Sequence, residues 1–195
     1  AASILSFTSP GIWFGDIGET RDLARRCNDY LAELAAGHPR RFGGFGFLPL
    51  PDVDAALEET ARLFDDLQLD GITLLTSVDD RYMGHPDFEP VYAELDRRGA
   101  VVLIHPCYPP GTEADGWDIP RMLIDYPFET TRVAINLIFK GVIARYPNIR
   151  FILSHAGGTL PFLVHRVAIF DKRTPFQDNY PDGVQAAVGK FWFDT

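Results

Sequence analysis

Arg150-Phe-Ile-Leu-Ser-His-Ala-Gly-Gly158 is an apolar run that ends abruptly in a histidine, and Ala100-Val-Val-Leu-Ile-His-Pro106 is its earlier twin. Runs of β-branched and aliphatic residues without polar alternation suit strands buried on both faces, as in a parallel sheet covered by helices. In such sheets ligands bind beyond the carboxyl ends of the strands. His105 and His155 both fall at that place. A long helical pattern over residues 129–146 separates the two runs, so the histidines are expected on one rim, a single βα unit apart.

Working outward, strands are expected over residues 3–8, 42–50, 71–76 and 190–194. A helix over residues 20–36 has Thr20 as its N-cap, with Leu23, Cys27, Tyr30, Leu31 and Leu34 at helical spacing. The helix after Pro51 starts at Asp52 or Asp54 and buries Ala55, Leu57, Ala61, Phe64 and Leu67. Further helices span residues 88–98 and 160–170. Glycines within residues 42–50 imply the close approach of a neighbouring backbone. Residues 107–127 break the rhythm with prolines and glycines, as a functional loop at a strand end does.

Six strands alternate strictly with five helical stretches, which predicts an α/β fold on a parallel sheet, either doubly wound or closed as a (β/α)8 barrel. No GxGxxG or GxxxxGK[ST] supports a nucleotide-binding sheet, so the TIM-like barrel is preferred. Such a barrel takes about 250 residues. The 195 residues are therefore expected to form one domain, 1–195, of an incomplete barrel with the first and last strands missing.

A net charge of −9 argues against nucleic acid as a partner. No apolar run approaches the roughly 20 residues of a membrane span. Two cysteines, Cys27 and Cys107, form no CxxC, and a reduced cytoplasmic setting is the expectation.

A histidine at the end of a barrel strand can ligate a divalent metal or serve as a general acid or base. Its ordinary alternative is a hydrogen bond to a loop carbonyl. His38, His85 and His165 sit in a helix stop, a loop and a helix, and are weaker candidates. Cys107 reads as a loop thiol. Arg166, eleven residues after His155, suits a bidentate carboxylate contact or simply a solvated helix surface. Trp117 is a substrate platform or part of its loop's own small core.

Taken together, His105-Pro106, Glu129-Thr130-Thr131, Ser154-His155-Ala-Gly-Gly158 and Phe162-Leu-Val-His-Arg166 resemble the amidohydrolase-related family. The similarity is to the branch of aminocarboxymuconate semialdehyde decarboxylase and the resorcylate-type decarboxylases, and Arg41-Phe-Gly-Gly-Phe45 through Leu48-Pro49 extends it. The resemblance implies a distorted (β/α)8 barrel with one divalent metal, zinc as a rule. It makes His105 a metal ligand and His155 the residue that acts on substrate, or a second ligand in hydrolase relatives. It brings Arg166 to the substrate carboxylate of the neighbouring subunit in a homodimer, and puts Trp117 roughly where that branch has an aromatic residue over the substrate. The family's paired first-strand ligands and its eighth-strand Asp have no counterpart here. Asp194, on the seventh strand, is not an obvious substitute, so little or no zinc binding is expected of these residues alone.

The leading functional expectation is a metal-dependent decarboxylase acting on a small aromatic or unsaturated carboxylate. A hydrolase of an amide, ester or lactone on the same scaffold is the alternative. A non-catalytic barrel fragment is the third reading.

Overall fold

The computed structural model describes residues 2–110, 120–172 and 177–194. In chain order it contains β1 (Ser3–Ser6), α1 (Ile17–Gly37), β2 (Phe42–Phe47) and α2 (Val53–Ala61), which runs on into a π-helical turn at Arg62–Asp66. Next come β3 (Gly71–Leu75), a hairpin of β4 (Ser77–Val78) and β5 (Arg81–Tyr82), α3 (Glu89–Arg98) and β6 (Val101–His105). The remainder is α4 (Asp125–Phe139), α5 (Val142–Arg145), β7 (Arg150–Leu153), α6 (Leu160–Val167), α7 (Val184–Val188) and β8 (Trp192–Phe193).

Among the described residues, six strands form one sheet in the order β1-β2-β3-β6-β7-β8, and every pairing is parallel. Spatial order equals chain order, so the sheet has no switch point of the doubly wound kind. Right-handed crossovers in one direction lay their helices on one face and curl the sheet. The result is part of the wall of a (β/α)8 barrel, as the alternation predicts. The helix-side core joins Val102, Ile104, Phe151 and Leu153 to Val133, Ala134, Leu137 and Ile138 of α4, all almost fully buried. Each of these side chains larger than alanine contributes about 1.5–3 kcal/mol of burial.

Five local expectations change. The N-cap of α1 is Asp16, whose Oδ1 accepts from the Glu19 N–H at 2.7 Å; Thr20 lies inside the helix and donates to the Asp16 carbonyl. The buried face of α1 is Thr20, Ala24, Asn28 and Leu31, while Tyr30 is exposed. The cause is close packing on β2: a Cβ on Gly46 would meet Leu63 at 2.4 Å and Asn28 at 3.0 Å. Small and polar residues fit there, and Asn28 accepts from the Phe47 N–H and donates to the Phe47 carbonyl and to Glu59.

The buried stripe of α2 likewise turns by one position, to Ala56, Glu59 and Thr60, with Leu63 beyond it. The Phe42–Phe47 strand is also shorter than the periodicity suggests. Finally, the single helix expected over residues 129–146 is two. Gly141 adopts φ +73° between α4 and α5, a left-handed conformation that ends the first helix at little steric cost to glycine. No helix among the described residues is long and apolar enough to cross a membrane.

Candidate active site

His105 is the last residue of β6 and pairs in register with Leu75 of β3. Its ring is half-buried, and Nδ1 lies 2.8 Å from the Pro106 carbonyl oxygen. A carbonyl only accepts, so Nδ1 carries the proton and Nε2 keeps its lone pair. Burial holds the imidazolium below the ordinary histidine range; the nearby His155 adds to this, while Pro106 and Asp194 pull the other way.

His155 follows β7 after one extended residue, Ser154. His155 and Ala156 have φ of 56° and 52°, and Gly157 and Gly158 continue at positive φ. A left-handed non-glycine residue costs about 1–2 kcal/mol, and such strain gathers at functional sites. The surroundings hold the turn. Asp194, just past β8, accepts from the Ala156 N–H at 2.9 Å, and the Thr159 N–H donates to Thr131 Oγ1 of α4 at 2.8 Å. The His155 imidazole then stands 5.5 Å from that of His105, centroid to centroid, at 62°.

Tyr126, in the first turn of α4, lies 6.0 Å from both imidazoles and 5.6 Å from the ring of Tyr108. The Arg121 guanidinium sits 4.5 Å over Tyr108 and pairs with Asp125. One turn beyond Tyr126, the buried Glu129 accepts from Tyr82 Oη and pairs with Arg132. Burial raises the Glu129 carboxyl above its usual range against the pull of those two partners. These contacts tie the start of α4 to the β4–β5 hairpin.

The structure thus brings His105 and His155 together. It leaves Arg166 exposed on the last turn of α6, outside the ring cluster, and Trp117 falls outside the described residues. Cys107 lies 3.3 Å from both Thr76 Oγ1 and Ser77 Oγ and is engaged there. His165 is near Gln185 and His85 caps a short helical turn, so neither joins the site. Tyr126, Tyr108 and the supporting role of Asp194 were not anticipated. An aromatic residue in a proline-rich stretch carries no spacing signal, and Asp194 meets the site only through the sheet.

Two imidazoles at this separation, one fixed by a carbonyl through its other nitrogen, are the donor type that borderline divalent ions take. Among the described residues no group of three His, Cys, Asp or Glu side chains converges. His105 fits such an ion as one ligand of a larger set, with the His155 ring 5.5 Å away beside it.

Fold and site define a class: residues 5–186 match the amidohydrolase family, and the chain belongs to it. Its parallel barrel wall is of the amidohydrolase type. It is 42% identical over 198 residues to a 6-methylsalicylic acid decarboxylase of Penicillium expansum, covering 99% of this chain and 61% of that one. Among solved structures, an amidohydrolase II superimposes with a TM-score of 0.91 at 33% identity, over all of this chain and 62% of the other. A dihydroxybenzoic acid decarboxylase from Polaromonas sp. JS666, solved with manganese and the inhibitor 2-nitroresorcinol, gives 0.84 at 27%, over 98% and 62%. The chain thus spans about three fifths of the length of these relatives.

Proposed function

We propose that the chain carries part of the active site of a metal-dependent decarboxylase acting on a small aromatic carboxylate. The observation that carries this reading is the imidazole pair, 5.5 Å apart at the carboxyl rim, with Tyr126 against both rings. The relatives support it, since 6-methylsalicylic and dihydroxybenzoic acids are both ring carboxylates bearing a hydroxyl.

His105 serves as ligand through Nε2, and its burial favours the neutral ring that ligation needs. A divalent ion, when bound, supplies positive charge that holds the substrate's oxygens. The family resemblance implies zinc, whereas the Polaromonas relative holds manganese, and imidazole donors suit both. His155 handles the proton. Its imidazolium delivers a proton to the ring carbon bearing the carboxylate, and the bond to the carboxyl carbon then breaks. The electron pair of that bond restores the aromatic ring as carbon dioxide leaves.

Arg166 has no ion-pair partner among the described residues and is free to reach the substrate carboxylate of a second subunit in a homodimer. The two free cysteines suit a reduced, cytoplasmic setting. The test is carbon dioxide release from 6-methylsalicylate and 2,6-dihydroxybenzoate with zinc or manganese supplied, set against hydrolysis of lactones, esters and amides. Turnover of the second group alone would replace the decarboxylase with a hydrolase. A clean monomer in sedimentation would remove the role given to Arg166.

A further inference from the structure

The reaction above leaves unused a group of aromatic rings beside the imidazole pair. Tyr126 lies 6.0 Å from His105 at 78° and 6.0 Å from His155 at 47°. Tyr108 continues the group at 5.6 Å and 48°, with the Arg121 guanidinium 4.5 Å from its ring. None of these contacts is a parallel stack. Tyr108 is 45% exposed and Tyr126 only half-buried, so neither ring is closed off by its neighbours.

Tyr126 is also well anchored. It stands in the first turn of α4 with Pro127 after it, and Glu129 fastens the next turn to Tyr82 and Arg132. An anchored tyrosine has little conformational freedom to lose when a ligand stacks on it. A planar π-system gains offset or edge-on attraction against such rings at centroid separations of about 4.5–7 Å, beyond its area burial. A saturated ring of the same size gains the burial alone.

We propose that Tyr126, backed by Tyr108, is the residue that selects an aromatic ring over a saturated one in the substrate. The proposal rests on the decarboxylase reading and names the part of the site that reads the substrate's ring.

The experiment compares binding of salicylate and cyclohexanecarboxylate, with manganese in every sample, by calorimetric titration of the full chain. The unaltered protein should prefer salicylate. Tyr126→Leu should weaken salicylate about three- to tenfold and leave cyclohexanecarboxylate within about twofold. Tyr126→Phe, which keeps the ring, should keep the preference. Tyr108→Leu alters an exposed ring that lies outside α4 and should lower the preference in the same direction, so the idea stays testable if Tyr126→Leu does not fold. Equal weakening of both ligands, or none, would overturn the proposal, as would an unaltered protein that binds the two acids alike. Carbon dioxide release by the unaltered protein is read separately: turnover with no ring preference sinks this inference and leaves the decarboxylase standing, whereas no turnover and no binding removes both.

Discussion

The hydroxyl of Tyr82, on the β4–β5 hairpin, donates a 2.7 Å hydrogen bond to Glu129 Oε2 at the start of α4, bridging 47 residues of chain. Arg132 pairs with the other Glu129 oxygen and donates to the same hydroxyl. Burial, with Glu129 beside it, pushes the Tyr82 phenol up to about 12. Removing the buried carboxylate leaves the part-buried Tyr82 hydroxyl without its acceptor, while the half-exposed Arg132 turns to water, so Glu129→Ala should cost about 1–2 kcal/mol in urea unfolding. Glu129→Gln, which keeps an acceptor, should cost less. A loss below about 0.5 kcal/mol for the alanine variant would show that the hairpin and helix are held by other contacts.

Acid sensitivity should come partly from α3. There Glu94 is drawn down to about 2, first by its hydrogen bond to Arg97 and then by that to Arg98. A carboxyl with a depressed folded-state value stabilises the protein above its ordinary titration range, and that contribution disappears as pH falls toward about 2. After solvent screening of a surface cluster, Glu94→Gln should lose about 1 kcal/mol at pH 6. The two proteins should converge near pH 2, as unfolding curves collected across that interval would read. A gap that stays constant with pH would assign the loss to packing instead.

The turn at His155 offers a test of strain. Ala156 occupies a left-handed conformation at φ 52°, which glycine adopts without a Cβ clash. Ala156→Gly should therefore raise stability by up to about 1 kcal/mol, after the extra freedom glycine brings to the unfolded chain. Denaturant midpoints decide it. A destabilised variant would mean that the alanine methyl makes packing contacts that outweigh the strain.

Metal uptake should follow His105. His105→Ala should retain less manganese than the unaltered protein after dialysis, measured by elemental analysis, whereas His155→Ala should retain about as much and lose turnover instead. Equal manganese in His105→Ala and the unaltered protein would remove His105 as a ligand.

Much of this arrangement was legible before any coordinates. A histidine that terminates an unbroken aliphatic run marks a strand end, and two such runs one helical pattern apart set His105 and His155 on one rim. Helix faces were harder. The tight contact at Gly46 favours Ala24 and Asn28 over bulkier Tyr30, and periodicity alone counts Tyr30 as core. Gly141 sits inside a continuous apolar rhythm, so only its positive φ betrays the break. The ring contacts of Tyr126 depend on how α4 enters the rim, which the tie between Glu129 and Tyr82 fixes across 47 residues.

Spatial order in the main sheet repeats chain order from β1 to β8. Every strand after the first therefore pairs with the strand of that sheet made just before it, and no pairing waits for a distant segment. Such a chain has modest contact order for a parallel sheet. During synthesis, each emerging βα unit meets an edge that already exists. Ribosome-stalled chains of increasing length should accordingly gain protease resistance in steps about one βα unit long, rather than in a single late jump.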